Sequence, residues 1–437
     1  MGNQEKPKKG QELRSPRGME DVLPHQWRLW RRLEEVAREI FELSGYHEIR
    51  TPIFEDTGLF VRGIGNTSDI VEKEMYTFAD SEDSSITLRP ESTAGVMRAY
   101  VEYELYKTQK FQKFYYIGPQ FRKERPQAGR LRQFHQMGIE AVGSMDPFVD
   151  VETIGVATQV YDRLGLVDYE VKLNTIGCAQ CRPSYRKTIK EELTRHKKGL
   201  CKLCLVRMER NVFRVLDCKE EGCKEIAHKM PAIYGYLCKG CKDHFERVKE
   251  ALSDIGIKYD MDAFLVRGLD YYTKTVYEII LPTLGARSAI CAGGRYDDLI
   301  SDIGGPPTGA VGFAMGMESS MLALEKVYQN NVPIDEGEPV TQVYLVSIGD
   351  DTHRECFKIA QRLRAQGLSC DLDYEGRSPK AQMRSANKRG AKRVIVIGPD
   401  ELARGVVKMK DMETGKEKLI AEDQIAVYSQ VDAEKWD

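Results

Sequence analysis

Two arginine-rich segments hold the residues whose types and spacing point most directly to chemistry. One is Arg267-Gly268-Leu269-Asp270-Tyr271-Tyr272. The other is Phe121-Arg122-Lys123-Glu124-Arg125-Pro126-Gln127, which continues after Ala128 as Gly129-Arg130-Leu131-Arg132-Gln133-Phe134-His135-Gln136. Five arginines across these segments cannot share one apolar core. They require anionic partners, and phosphate is the anion that a planar guanidinium fork matches best. The interleaved carboxylates, tyrosines and amides supply donors and acceptors that can orient a small polar molecule. The two segments therefore read as a site where a nucleoside triphosphate meets a second, smaller substrate. A solvated charged loop is the alternative for the longer segment. The alternation of Gln127, Phe134 and Gln136 with the charges argues against it.

A second constellation consists of thiols. Of the 11 cysteines, eight lie between Cys178 and Cys241, as Cys178-x2-Cys181, Cys201-x2-Cys204, Cys218-x4-Cys223 and Cys238-x2-Cys241. Four close pairs have the spacing of tetrahedral thiolate sites. Eight thiolates suit two zinc ions, each stapling an insertion expected to contain little apolar core. Reduced structural cysteines or reversible disulfides are the alternative. His196, His228 and His244 fall nearby and are expected at the surface.

The elements that position these residues follow from periodicity. Apolar Trp30, Leu33, Ala37, Ile40 and Phe41 predict a helix over Pro24–Ser44 ended by Gly45. Strands are expected at Ile49–Phe54, Ile86–Arg89, Lys113–Phe121, Phe134–Val142, Tyr169–Asn174, Phe264–Val266, Val276–Leu281 and Ser288–Cys291. Lys113–Phe121 and Phe134–Val142 form a long hairpin around the basic loop. Helices are expected at Ser92–Glu104 and Val151–Leu164, and Gly309–Glu318 runs from strand into helix. Strands that follow one another without regular crossover helices imply a largely antiparallel sheet. Polar turn residues at Asn330–Glu338 mark a boundary. Beyond it, alternating strands and helices through Val394–Ile397 predict a small α/β domain with parallel strands. Its helix and the residues after it concentrate positive charge at Arg377, Lys380, Arg384, Lys388, Arg389, Lys392 and Arg393, for which a solvated face is one reading.

The 437 residues leave room for two or three domains. Hydrophobic content of 41% and charged content of 30% describe a globular protein and exclude fibrous or disordered classes. There is no apolar run of about 18 residues, so no membrane helix is expected. The polar start of the chain lacks the apolar stretch of a secretory signal, which implies a cytoplasmic, reducing compartment. Residues 1–16 read as a disordered tail. A net charge of −2 does not exclude nucleic acid, because local potential attracts phosphate.

Phe121-Arg122-Lys123-Glu124, a loop, and then Arg130 with Phe134 resemble motif 2 of the class II aminoacyl-tRNA synthetases. The loop sequence Pro126-Gln127-Ala128-Gly129-Arg130-Leu131-Arg132-Gln133-Phe134-His135-Gln136 narrows the resemblance to the histidyl-tRNA synthetase family. Leu88-Arg89-Pro90-Glu91-Ser92-Thr93-Ala94-Gly95 resembles that family's amino-acid-binding segment. Leu265 to Tyr272 and Cys291-Ala292-Gly293-Gly294-Arg295-Tyr296-Asp297 resemble its two histidine signatures. The resemblance implies an α+β fold, an antiparallel class II sheet flanked by helices over 17–330, with a Cys-rich insertion at about 176–248 and an anticodon-binding α/β domain over 339–437. It implies a histidine–tRNA ligase that uses ATP and Mg²⁺, acts on tRNA(His), and forms a homodimer through the strand closed by Pro52. It also assigns roles. Glu91, Ser92, Thr93 and Gln136 line the histidine site, where the α-amino group is held, while Glu140 and Tyr272, with Tyr271 beside them, read the imidazole. Arg122 and Arg267 lie on the α-phosphate; Glu124 and Phe134 complete the ATP site; Gln127 and Arg132 meet the acceptor end. Gly293 and Gly294 are expected to let the backbone approach substrate.

One position departs from the family pattern. Gly309 to Glu318 resembles motif 3, but Ser319 follows where the family has an Arg that stacks on adenine and touches the γ-phosphate. Arg295 is expected to supply part of the lost charge. The alternative reading built on Ser319 is a catalytically impaired histidine-binding paralogue, like the regulatory subunit of ATP phosphoribosyltransferase.

Overall fold

The computed structural model describes residues 13–65, 68–81, 83–126, 130–328 and 341–436, with 286 and 287 described by backbone alone. Most of the expected tail, all of Asn330–Glu338, and Gln127 lie outside the described residues. The chain divides into two compact units, Met1–Val332 and Pro333–Asp437.

Sixteen strands occur among the described residues. In the first unit they are β1 (His47–Glu48), β2 (Phe54–Asp56), β3 (Tyr76–Ala79), β4 (Ser85–Leu88), β5 (Gln112–Phe121), β6 (Gln133–Val142), β7 (Glu170–Thr175), β8 (Asp260–Met261), β9 (Thr273–Ile280), β10 (Ala289–Arg295) and β11 (Ala310–Gly316). The second unit has β12 (Val343–Ser347), β13 (Cys370–Leu372), β14 (Arg393–Ile397), β15 (Val406–Asp411) and β16 (Glu417–Ala421).

Eight strands form one sheet in the order β1-β5-β6-β11-β10-β9-β7-β8. The run from β5 to β7 is antiparallel, as expected, and short parallel pairs close both ends. Strand alternation then sorts the side chains. On β6, Met137, Ile139 and Ala141 join a core with Phe313, Met315 and Tyr277, covered by helices Pro24–Leu43, Pro147–Arg163, Lys239–Asp254 and Met317–Tyr328. The intervening Gln136, Gly138 and Glu140 point to the opposite face, where helix Thr93–Glu102 packs. Helix Pro24–Leu43 forms because its buried residues recur at helical spacing, with Pro24 in its first turn and Gly45 behind it at φ +80°.

Three expected elements differ. Ile49–Phe54 is not one strand. The segment bridges two sheets: Ile49 N donates to Tyr115 O at 2.8 Å in the large one, and Ile53 O accepts Arg89 N at 2.9 Å beside the small sheet β2-β4-β3. Pro52 between them has no N–H to donate to a ladder. Phe264–Val266 is not a strand, because side chains satisfy its backbone. Asp262 accepts Phe264 N at 2.9 Å, and Asn174 Nδ2 donates to Leu265 O at 2.9 Å. The insertion also holds more apolar core than expected. Its short helices enclose an apolar core that includes Tyr185, Ile189, Leu193, Met208, Val212 and Ile226.

In the second unit the expected parallel strands β13-β12-β14 continue into antiparallel β15 and β16, giving a mixed five-stranded sheet. Lys380, Arg384, Lys388 and Lys392 are exposed, whereas Arg377, Arg389 and Arg393 are engaged by Asp373, Asp371 and Asp411.

Candidate functional site

Glu140 is the centre of the site. It lies on β6 opposite Gly312 of β11 and is 0% exposed. A side chain at 312 would collide with it, since a Cβ there would lie 2.1 Å from Glu140 Oε2. The Thr93 hydroxyl donates to Glu140 Oε1 at 2.7 Å, and the Tyr296 hydroxyl donates to Oε2. Burial pushes the Glu140 carboxyl up to about 8; these two donors oppose the rise, and the charge of Glu91 adds to it.

An aromatic box stands beside this carboxylate. Ring centroids of Tyr271 and Tyr272 are 4.7 Å apart, and Tyr296 lies 5.5 Å from Tyr271 and 6.3 Å from Tyr272. The Arg267 guanidinium sits 5.8 Å from the Tyr272 ring centroid and is ion-paired with Glu278 of β9. Burial lowers the Arg267 pKa, but the Glu278 carboxylate outweighs that, so the side chain remains a cation. Gly293 and Gly294 accommodate protein here. A Cβ at 293 would lie 2.6 Å from the Tyr277 ring, and one at 294 would lie 3.0 Å from the Tyr272 ring.

Glu91 and Thr93 enter from the start of helix Thr93–Glu102. Both Glu91 oxygens accept first-turn N–H groups, from Thr93 at 2.6 Å and Ala94 at 2.9 Å, which satisfies otherwise orphaned helix donors. Burial raises the Glu91 pKa, and those N–H donors restrain the rise. Ser92 Oγ accepts Gln120 Nε2 at 2.7 Å. Arg122 Nε donates to Pro90 O at 2.9 Å, and its guanidinium lies 5.1 Å from the Phe134 ring centroid. A chain of contacts thus runs from Arg267 through the tyrosines and Glu140 to Thr93, Glu91 and Arg122. Among the described residues, buried Gln136 Oε1 and Arg267 Nε have no hydrogen-bond partner. Buried polar atoms are seldom left so, and here a polar ligand would satisfy them. Beside Arg267 and Tyr272 opens a cavity of about 680 Å³, walled on the insertion side by Arg182, Arg186, Asn211 and Arg214.

Other expected residues are held by protein partners. Glu124 Oε2 accepts Arg130 at 3.5 Å, and Glu124 O accepts Arg132 Nε at 3.3 Å. Arg132 N also donates to Gly18 O at 2.6 Å, so the residues around Gly18 brace the basic loop. Arg295 cannot replace the missing motif 3 Arg. Its 0% exposed guanidinium is bound by Asp150, Asp297 and the carbonyls of Ser144 and Asp146. Burial alone would raise the Asp150 carboxyl, but Arg295 and then His244 hold it down at about 2. His244 is therefore buried against Asp150 at 3.2 Å, contrary to expectation, while His196 and His228 are exposed. Ser319 is half-buried in the first turn of its helix, where the preceding Glu318 accepts His135 N at 2.9 Å. Tyr296 and Tyr116 carried no assigned role in the sequence. Tyr296 was legible only as the residue following Arg295 in a signature.

The eight insertion cysteines form two groups, Cys178, Cys181, Cys238 and Cys241, and Cys201, Cys204, Cys218 and Cys223. Within each group the sulfurs lie within 4.8 Å of one another. No helix among the described residues is long and apolar enough to cross a membrane.

Residues 18–319 match the family model described as histidyl-tRNA synthetase, and residues 342–429 match that of the anticodon binding domain. The histidine--tRNA ligase of Desulforamulus reducens is 46% identical over 413 residues, 94% of this chain and 98% of that protein. That of Moorella thermoacetica is 48% identical over 405 residues, 93% and 95% of the two chains. The apo crystal structure of S. aureus histidyl-tRNA synthetase superposes with a TM-score of 0.78 at 34% identity, covering 95% of this chain and 99% of that one. The chain belongs to the histidyl-tRNA synthetase family.

Proposed function

We propose that this family member is a histidine–tRNA ligase. It joins histidine to ATP, giving histidyl-adenylate and pyrophosphate, and passes the histidyl group to the 3′ end of tRNA(His). The observation that carries the reading is the convergence of Arg267 and Glu140 on one tyrosine box with unpartnered polar atoms around it. Glu140 and Tyr272 fix the imidazole, whose two nitrogens need a defined donor and acceptor. Tyr271 lines the same pocket, and Glu91, Ser92, Thr93 and Gln136 form the side that receives the α-amino group. The histidine carboxylate attacks the α-phosphorus and pyrophosphate leaves. Arg267 and Arg122 stabilise the charge that gathers there, so positioning and electrostatics supply the catalysis. Arg122, Phe134 and Glu124 form the rest of the ATP site, where Mg²⁺ would be held with few protein ligands and would neutralise phosphate charge. Gln127 and Arg132 meet the tRNA acceptor end, and exposed Lys380, Arg384 and Lys388 meet its anticodon region.

The two cysteine groups each hold Zn²⁺ in the reducing cytoplasm. The partners form a homodimer through the small sheet near Pro52, where Ile53, Phe54, Phe78 and Tyr103 are exposed apolar groups. Ser319 favours one second reading, a histidine-binding regulator that does not adenylate. Histidine-dependent exchange between pyrophosphate and ATP decides between them. The expected result is exchange in the native protein and more in Ser319→Arg. No exchange in either, with histidine binding retained in both, would establish the regulator.

A further inference from the structure

The cysteine group at the base of the insertion adjoins the tyrosine box. Cys178 and Cys181 follow β7 through Ile176 and Gly177, and Cys238 and Cys241 open helix Lys239–Asp254. This group therefore joins the points where the insertion leaves the catalytic unit and returns to it. The Cys178–Cys181 and Cys178–Cys238 sulfur separations are 3.7 and 4.0 Å. A tetrahedron with Zn–S bonds of about 2.3 Å has edges of about 3.8 Å. Cys238 N also donates to Cys181 Sγ at 3.1 Å. The four soft donors, without carboxylate or imidazole, suit zinc.

Two links lead from this group to the residues taken to read the imidazole. Ile176 N donates to Lys274 O at 2.7 Å, and Lys274 N donates to Gly177 O at 2.8 Å. Arg182, adjacent to Cys181, turns inward and donates through Nη2 to the carbonyl of Tyr272, with a weaker bond from Nε to Ile176 O at 3.4 Å. The inner group, Cys201, Cys204, Cys218 and Cys223, has other neighbours. Arg207 and Arg214 beside it reach Asp69 at 3.0 and 3.1 Å, and Asn211 reaches Asp270 at 2.7 Å.

We propose that zinc bound by Cys178, Cys181, Cys238 and Cys241 fixes Arg182 as a positioning residue against Tyr272, so that occupancy of this one metal site sets histidine affinity. The proposal rests on the zinc and histidine-site readings above. It is tested on the full chain by elemental zinc analysis and by calorimetry with histidine alone. Native protein is expected to carry two zinc ions per chain. Cys238→Ser is expected to carry one and to bind histidine about tenfold more weakly, the effect of one charge-assisted hydrogen bond. Cys218→Ser also loses one zinc but keeps its histidine affinity. Arg182→Gln keeps both zinc ions yet weakens histidine binding as much as Cys238→Ser does, and Arg182→Lys restores part of it. Absence of zinc from native protein overturns the metal assignment itself. Two zinc ions in native protein, with unchanged histidine affinity in Arg182→Gln, overturn the coupling and leave the metal assignment standing. If Cys238→Ser does not fold, the Arg182 variants decide alone.

Discussion

The tyrosine box and the cysteine-rich insertion both hold reactive side chains in tight array, and they owe their rigidity to different sources. Glu140, Tyr272 and Tyr296 stand on or beside strands whose neighbours are hydrogen-bonded on both sides. Their geometry is set by the sheet and by a core that spans it. The inner thiols, Cys201, Cys204, Cys218 and Cys223, pack in or against a smaller core among short helices. There, polar contacts to Asp69, Glu72 and Asp270 and the proposed metals must finish what packing begins. The sheet site therefore rests on strand pairing and a shared core, whereas the insertion draws on its own core, these polar contacts and the proposed staples.

The largest effect expected from this contrast follows chelation. Removing metal should accelerate hydrogen exchange across Arg182–Arg195 and Lys202–Arg210 and leave β6 and β11 protected. Equal protection with and without metal would show that the apolar core suffices for both regions. Next is Asp150→Ala, which strands Arg295 without its main buried counter-charge. A loss of about 3–5 kcal/mol in urea unfolding is expected, with zinc content unchanged in the folded protein. Arg267→Ala should lower histidine-dependent pyrophosphate exchange about 10²–10³-fold while zinc content stays at the native level.

Glu140 gives a smaller, pH-dependent effect. The folded protein keeps its proton up to about pH 8, whereas the unfolded chain releases it near the ordinary carboxyl value of about 4.3. Its contribution to stability is complete below that lower value and is lost as pH rises toward the higher one. Unliganded stability should therefore fall between pH 5 and 8 by about 1 kcal/mol per pH unit, and Glu140→Gln should flatten the slope. A steeper slope in the variant would contradict the assignment. The smallest effect is expected at the surface, away from both regions. Glu39 and Arg163 are about half exposed at 2.7 Å, so Glu39→Ala should change stability by only about 0–1 kcal/mol.

Several contacts among the expected site residues are local in sequence. Glu91, Ser92 and Thr93 open one helix, and both oxygens of Glu91 reach first-turn N–H groups in that helix. Arg122 and Phe134 lie where β5 and β6 pair at one end, so the pairing of the two strands brings guanidinium and ring together. Arg295 was misread because an arginine in a signature looks like a ligand-binding cation, and only Asp150, from a helix far away in sequence, reveals it as structural. His244 was misplaced for the same reason. Phe264–Val266 has strand-like composition, but side-chain partners took up its backbone groups before a neighbouring strand could.

The sequence by itself determined which groups are present: a set of guanidiniums, a carboxylate and phenols near them in the motifs, and eight thiols in close pairs. Residues a few positions apart are held near one another by the chain, so their joint chemistry survives any fold that keeps them ordered. Only the tertiary structure decided that the first thiol pair meets the last and encloses the other two, that Tyr296 caps Glu140, and that Arg182 reaches Tyr272. Those meetings join residues separated by long stretches of chain. Spacing along a flexible polymer does not determine distance across it, so the packing of sheet and helices makes the choice.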